Sequence, residues 1–202
     1  MREILPGIWT WSVYNAEKQM NFNGWYLRKD KEAVVIDPPP PSPDDLKEIA
    51  QRGSPVAILL TNKHHTRATS SIRDTFGCPV WVHEADRPLM EIPVDRTYRD
   101  RDLLPCGLRA ITVPGGKTPG ETAFLLEGAA RTLIVGDAVL GKPPGSLSML
   151  PADKFKDASR ALAGLLVLVD QDFEALLLGD GEPVLSGGRK LLERFVRRDG
   201  LG

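Results

Sequence analysis

The spacing of apolar and polar residues predicts two paired strands near the start of the chain. Residues 25–27 and 33–36 are apolar runs of strand length, and the charged stretch 28–31 between them is typical of a turn. Four consecutive prolines at 38–41 follow, and they exclude a helix or a central strand because proline has no amide proton. The fold is therefore expected to open with a meander.

Beyond the prolines, helix and strand signals alternate. Ser42, followed by a proline and two acids, predicts the start of a helix that runs to about Gln51 and stops at Gly53. Further strands are predicted at residues 56–60, 79–82, 108–113, 123–127, 132–135 and 173–178. Further helices are predicted at residues 70–76, as a turn from 84, as the longest helix within 151–169, and as an amphipathic helix at 190–196. This alternation indicates an α/β protein.

Chain length and composition narrow the class of protein. The 202 residues, 42% of them hydrophobic, are expected to form a single domain over 1–202, with a core that needs no disulfide or structural metal. The 26 basic and 27 acidic residues argue against a nucleic-acid partner. The apolar stretch 161–169 is shorter than the ~18 residues of a membrane span, so no membrane partner is expected.

Cysteine usage and the first residues predict a cytoplasmic location. Cys78 and Cys106 are the two cysteines of the chain, and they form no Cys-x-x-Cys motif. Residues 1–6 contain no apolar secretory core. A homodimer is expected only from the general frequency of dimers.

Polar loops follow several apolar strands, and in layered α/β folds ligand sites collect at such strand ends. Asp137 follows a fully apolar strand, and burying its carboxylate would be costly without a partner. We therefore expect Lys117 or Arg67 beside it. Asp37, at another strand end, is predicted to accept backbone amides in a turn.

An ordered series of motifs marks residues 4–185. They are LPGIW at 5–9, VVIDP at 34–38, ILLT at 58–61, PGGKTPG at 114–120, LIVGD at 133–137 and LLGDG at 177–181. In these motifs the chain resembles the metallo-β-lactamase fold superfamily. The resemblance implies a four-layer αβ/βα sandwich of mixed α and β class, with a site at one edge. Active members hold two metal ions there, usually zinc, which make hydroxide and polarise a carbonyl or phosphoryl oxygen.

The resemblance also assigns metal-ligand positions, and most of them carry a different residue here. The family pattern His-x-His-x-Asp-His begins after Thr61, and three more ligands follow in later loops. At the seven positions this chain has Asn62, His64, Thr66, Arg67, Lys117, Asp137 and Asp180. Among these, His64 and Asp137 keep the family residue.

The formal charges at these positions sum to zero. Arg67 and Lys117 are positive, Asp137 and Asp180 are negative, and the other three are neutral. The family's own ligands would leave two negative charges for metal ions to balance. We therefore expect the two protein cations to stand where metal charge would sit.

The leading hypothesis is a protein of this fold that has lost the two-metal hydrolytic centre. An ion-pair cluster would replace it, and His64 and Asn62 would add hydrogen bonds to this cluster. No cofactor is expected. The expected role is to bind a small, possibly anionic, ligand, or to act through protein association. A basic strip of Lys63, Arg67 and Arg73 could bind such an anion or simply be solvated. His65 is predicted to be structural, and His83, which precedes Glu84, is predicted to be a helix-entry or surface residue.

Two alternatives stay open. The chain could be a hydrolase of esters or phosphodiesters that uses one weakly held divalent ion on His64, Asp137 and Asp180. Metal-free catalysis would instead use Lys117 as a base or Schiff-base amine. A lysine between two carboxylates should keep its proton, which disfavours the second alternative.

Overall fold

The first sheet has seven strands that lie side by side in chain order. The computed structural model describes residues 1–128 and 131–199. The strands are β1 (Arg2–Leu5), β2 (Ile8–Asn15), β3 (Met20–Lys29), β4 (Glu32–Ile36), β5 (Ala57–Leu59), β6 (Val80–His83) and β7 (Arg96–Tyr98). Strands β1 to β4 are antiparallel, and β4 to β7 are parallel. The predicted opening meander is confirmed.

The second sheet has five strands in the order β12-β11-β10-β9-β8. They are β8 (Leu103–Leu104), β9 (Leu108–Thr112), β10 (Thr122–Leu126), β11 (Thr132–Val135) and β12 (Ala175–Leu178). The β11–β12 pair is parallel and the other three pairs are antiparallel. Both sheets therefore have adjacent parallel strands whose carboxyl ends lie together.

The helices are α1 (Pro43–Arg52), α2 (Thr69–Phe76), α3 (Ala158–Gly164), α4 (Leu166–Val169) and α5 (Gly188–Asp199). Single 3₁₀ turns lie at Arg87–Leu89, Pro105–Gly107 and Ala152–Lys154. As predicted, α1 begins behind Ser42, whose side chain exchanges capping hydrogen bonds with Asp45, and its last residue precedes Gly53. None of the helices within 1–128 and 131–199 has the length and apolar character to cross a bilayer.

The prediction that the longest helix lies within 151–169 is wrong. That segment holds a 3₁₀ turn and two short helices, and the longest helix of the described residues is α5, with 12 residues. Asp157 caps α3 by accepting the backbone amide of Arg160, so the helix starts only at residue 158.

Three apolar clusters separate four layers. The cluster between the sheets contains Trp25 and Leu59 from one sheet and Phe124 and Leu177 from the other. A second cluster packs α1 and α2 on the first sheet, and a third packs α3, α4 and α5 on the second. The order helix, sheet, sheet, helix is the predicted αβ/βα sandwich.

Candidate functional site

Asp137 lies at the centre of a buried polar cluster at the edge of the sandwich. Directly after β11, its side-chain oxygen Oδ2 accepts a hydrogen bond from Lys117 Nζ at 2.9 Å and from Asn62 Nδ2 at 3.2 Å. His65 Nε2 lies 3.4 Å from the same oxygen. Burial by itself would raise the pKa of Asp137, but the charges of His65 and Lys117 outweigh it and lower the pKa well below its usual value. Asp137 therefore stays ionised.

His65 is a buried cation between two carboxylates. Its Nδ1 lies 2.7 Å from Asp37 Oδ2, on the side opposite Asp137. Burial would lower its pKa, but the charges of Asp37 and Asp137 overcome this and raise the pKa to about 10. Asp37 also accepts hydrogen bonds from the backbone amide and hydroxyl of Thr61, at 2.9 and 2.6 Å. It accepts a backbone amide, as predicted, but it also holds the imidazolium.

The structure exchanges the expected roles of the adjacent residues His64 and His65, since His64 was expected to belong to the site. His65, which was predicted to be structural, lies inside the cluster, whereas His64 is exposed. The backbone amide of His64 donates to Asn62 Oδ1 at 2.8 Å. Desolvation, followed by the charge of Lys117, lowers the pKa of the His64 ring. His65 points inward because Asp37 and Thr61 hold its ring. The contact between His65 and Asp37 joins residues 28 positions apart in the sequence.

Arg67 and Asp180 form the second ion pair of the site. Arg67 Nη2 donates to Asp180 Oδ1, and its guanidinium lies 4.4 Å from the centre of the Phe22 ring. Burial raises the pKa of Asp180, while the charges of His65 and Arg67 oppose that shift. Thr66 contributes its carbonyl, which accepts the amide of Thr69 where α2 begins.

Glu121 belongs to the cluster, and the residue pattern did not single it out. Its Oε1 accepts the backbone amide of Asp137 at 3.1 Å and Asn62 Nδ2 at 3.2 Å. Its Oε2 is buried and has no hydrogen-bond partner within the described ranges. Burial and the charge of Asp137 raise its pKa to about 8. The signal was present: an acid stands directly before the fully buried strand β10, just as Asp137 follows β11.

Close packing holds the cluster together at Gly136. A Cβ atom there would lie 2.1 Å from Thr61 Oγ1 and 3.0 Å from Asn62 Nδ2. Real Cβ atoms do not approach other atoms so closely, and only glycine lets the end of β11 meet the loop after β5. The glycine in the motif LIVGD therefore has a packing role.

One group in the described residues has the spacing of a metal site. Ligand atoms of His65, Asp137 and Asp180 all lie within 4.8 Å of one another. The alternative set proposed from the sequence contained His64, and the group in the structure contains His65 in its place. His64 is exposed and lies outside this group.

A cavity lies beside the cluster, on the other side of Lys117. Its volume is about 580 Å³, and its walls are residues 112–119 together with Lys156, Asp157 and Arg160. The predicted basic strip does not reach it: Arg73 pairs with Asp95 at 3.1 Å, and Arg67 pairs with Asp180. The cations that face this cavity are Lys117 of the Pro-Gly loop, Lys156 just before α3 and Arg160 of α3.

A model of the metallo-beta-lactamase superfamily matches residues 2–198, and the chain belongs to this superfamily. An uncharacterized protein of Mycobacterium tuberculosis, Rv2581c, is 26% identical over 201 residues, which cover 84% of this chain and 89% of the relative.

Solved structures share the fold at low sequence identity. A metallo-beta-lactamase from Pontibacter korlensis has a TM-score of 0.79 and 16% identity, and the match covers 97% of this chain and 96% of that one. TTHA1623, solved in a di-iron-bound form, has a TM-score of 0.69 and 23% identity over 91% of this chain and 97% of its own. These similarities establish the fold.

Proposed function

We propose that this chain is a metallo-β-lactamase-fold protein in which fixed ion pairs replace the two-metal hydrolytic centre, and that it binds a small anionic ligand beside Lys117. The observation that carries the proposal is the contact of 2.9 Å between Lys117 Nζ and Asp137 Oδ2. Asp137 is buried, and the ammonium of Lys117 supplies a positive charge in direct contact with its Oδ2.

The charges of the cluster support this reading. Three cations, Lys117, Arg67 and the protonated His65, balance Asp37, Asp137 and Asp180. Glu121 adds little charge at neutral pH, because burial and the charge of Asp137 raise its pKa to about 8. A divalent ion would add two positive charges to a balanced, buried set, and a histidine binds metal only through a neutral nitrogen. Both ring nitrogens of His65 face carboxylates. This donor set does not fit the family's two-ion centre.

The cavity beside Lys117 supports an anionic ligand. Lys117, Lys156 and Arg160 face it, against a single acid, Asp157. The Asp157 carboxylate is engaged, since it accepts the Arg160 backbone amide at 2.9 Å. Val113, Pro114 and Pro119 give the wall an apolar part beside its glycines and threonines, so an anion with a short apolar part would fit best.

Calorimetric titration with a panel of small carboxylates and phosphate esters tests the proposal. A member of the panel should bind, and Lys156→Met with Arg160→Met should weaken it at least about tenfold, because two charge-assisted contacts are lost. Lys31→Met with Arg101→Met is the matched control, since both residues are exposed. Elemental analysis of protein purified without chelator should find far less than one metal ion per chain. An affinity that is unchanged in the Lys156→Met, Arg160→Met protein would contradict the proposal. A metal ion bound through Asp137 would also contradict it.

A second candidate is a hydrolase that uses one weakly held divalent ion. The grouping of His65, Asp137 and Asp180 favours it. Such an enzyme would hydrolyse an ester or phosphodiester faster with added Mn²⁺, and Asp137→Asn would abolish the gain. Turnover that does not respond to metal would dismiss it.

We also propose a cytoplasmic location. Burial raises the pKa of the Cys78 thiol to about 11 and that of Cys106 to about 12, so neither is a reactive thiolate at neutral pH. Two inert, unpaired thiols fit a reducing compartment.

A further inference from the structure

A groove runs along α5, away from the cluster and its cavity. It begins as a cavity of about 670 Å³ between α5 and residues 145 and 184–187. A second cavity of about 300 Å³ shares Gly145, Leu191 and Arg194 with the first and continues to Arg198. The two form one open channel along the helix.

The side chains that line the groove are strongly basic. Residues 188–198 contain five basic residues and one acid, although the whole chain has a net charge of −1. Lys190, Arg194 and Arg197 follow one another at four and three residues and therefore share a side of the helix. The acid, Glu193, is already engaged with Arg197 at 2.6 Å. Among the side chains described within residues 1–128 and 131–198, no carboxylate lies at ion-pair distance from Lys190 or Arg194, although the charge of Lys190 helps to lower the pKa of Glu174.

Apolar side chains accompany these charges. Val184 and Leu191 line the first cavity, and Leu147 and Phe195 line the second. Leu147 and Phe195 are buried, so the accessible apolar surface of the groove comes from the half-buried Val184 and Leu191. Cations beside this small apolar surface are the complement of an acidic segment with interspersed apolar residues.

We propose that this groove binds a short, extended acidic peptide segment of a partner protein. From residue 190 to 198 the helix rises about 12 Å, at about 1.5 Å per residue. An extended peptide covers that length with about four residues and points alternate side chains to opposite sides. Its acids would meet Lys190 and Arg194, and its apolar side chains would meet Leu191.

The same surface is less suited to other polyanions. Single-stranded nucleic acid needs exposed aromatic rings for base stacking, and the aromatic residue of the groove, Phe195, is 6% exposed. A helix that inserts into a membrane interface does so with an apolar face, whereas Leu192 and Val196 of α5 pack into the core. The charge complementarity therefore points to a peptide.

Fluorescence anisotropy with a labelled peptide of alternating glutamate and leucine tests the proposal on the full chain. We expect saturable binding that weakens with salt and falls at least about tenfold in Lys190→Ser with Arg194→Ser. Both residues face solvent in the groove, and circular dichroism will show whether the variant keeps its helices. The control variant Lys31→Ser with Arg101→Ser removes the same charge from exposed sites elsewhere.

The other outcomes overturn the proposal. Equal weakening in both variants would show attraction by net charge alone, without a groove. If the peptide with glutamine in place of glutamate bound equally well, the carboxylates of the peptide would not contribute to recognition. Tighter binding of a labelled single-stranded oligonucleotide or of vesicles containing phosphatidylserine would assign the groove to another partner. Metal content and binding beside Lys117 are measured separately, so this proposal can fail without the proposed function.

Discussion

Replacing Lys117 with methionine tests whether the lysine is a fixed counter-charge for Asp137. Its ammonium lies 2.9 Å from the carboxylate, and the side chains are 20% and 3% exposed. At an effective dielectric constant of about 20, two unit charges at this distance attract by about 6 kcal/mol before desolvation is subtracted. Breaking a buried pair by removing one partner costs about 3–5 kcal/mol. The partial exposure of the lysine places the expected loss at or below the lower end of this range, at about 2–3 kcal/mol.

Urea denaturation measures this loss, and a double-mutant cycle isolates the pair. Asp137→Asn should be at least as destabilising as Lys117→Met, because it leaves both Lys117 and His65 without their shared carboxylate. The double variant should lose less than the sum, by about 1–3 kcal/mol of coupling energy. Lys156→Met is the matched control: it faces the same cavity, forms no ion pair in the described residues, and should change stability by about 0.5 kcal/mol or less. Coupling near zero, or a Lys117→Met protein as stable as the parent, would refute the reasoning.

Three further predictions concern the same cluster. Its protonated histidine, His65, has a pKa of about 10 in the folded protein against an ordinary 6.5. The contribution of this histidine to stability is therefore full below pH ~6.5 and is lost as the pH rises through 10. The midpoints of urea denaturation across this pH range measure the loss. Gly136→Ala should cost about 3 kcal/mol or more, since its methyl group meets Thr61 Oγ1 at 2.1 Å, and thermal melts will show this. Arg67→Met should cost about 1–3 kcal/mol, because buried Asp180 loses its counter-charge.

Each of these predictions has a clear contrary result. A His65→Gln protein that keeps the same decline in stability with rising pH would assign that decline to other groups. A Gly136→Ala protein without loss of stability would mean that the end of β11 and the loop after β5 can separate. An Arg67→Met protein of unchanged stability would mean that Asp180 is adequately solvated or protonated without the arginine.

Much of the fold follows from local patterns in the chain. The capping box behind Ser42 and the glycine at 53 set the limits of α1, and apolar runs such as 132–135 mark buried strands, because these signals act between residues close in sequence. The prediction for 151–169 is wrong because only its second half, 161–169, is continuously apolar. The cap at Asp157 and the break after Gly164 divide it into shorter helices.

The sequence by itself determined the layered fold, and it placed Lys117 and Arg67 at positions where the family resemblance implies neutral ligands. Only the tertiary structure decided that His65 rather than His64 enters the cluster and that Glu121 joins it. The direction of a loop side chain depends on partners that arrive from other strands: Asp37 holds the imidazolium of His65, and the amide of Asp137 holds Glu121. Those contacts join residues between 16 and 28 positions apart, and no local rule of the chain specifies them.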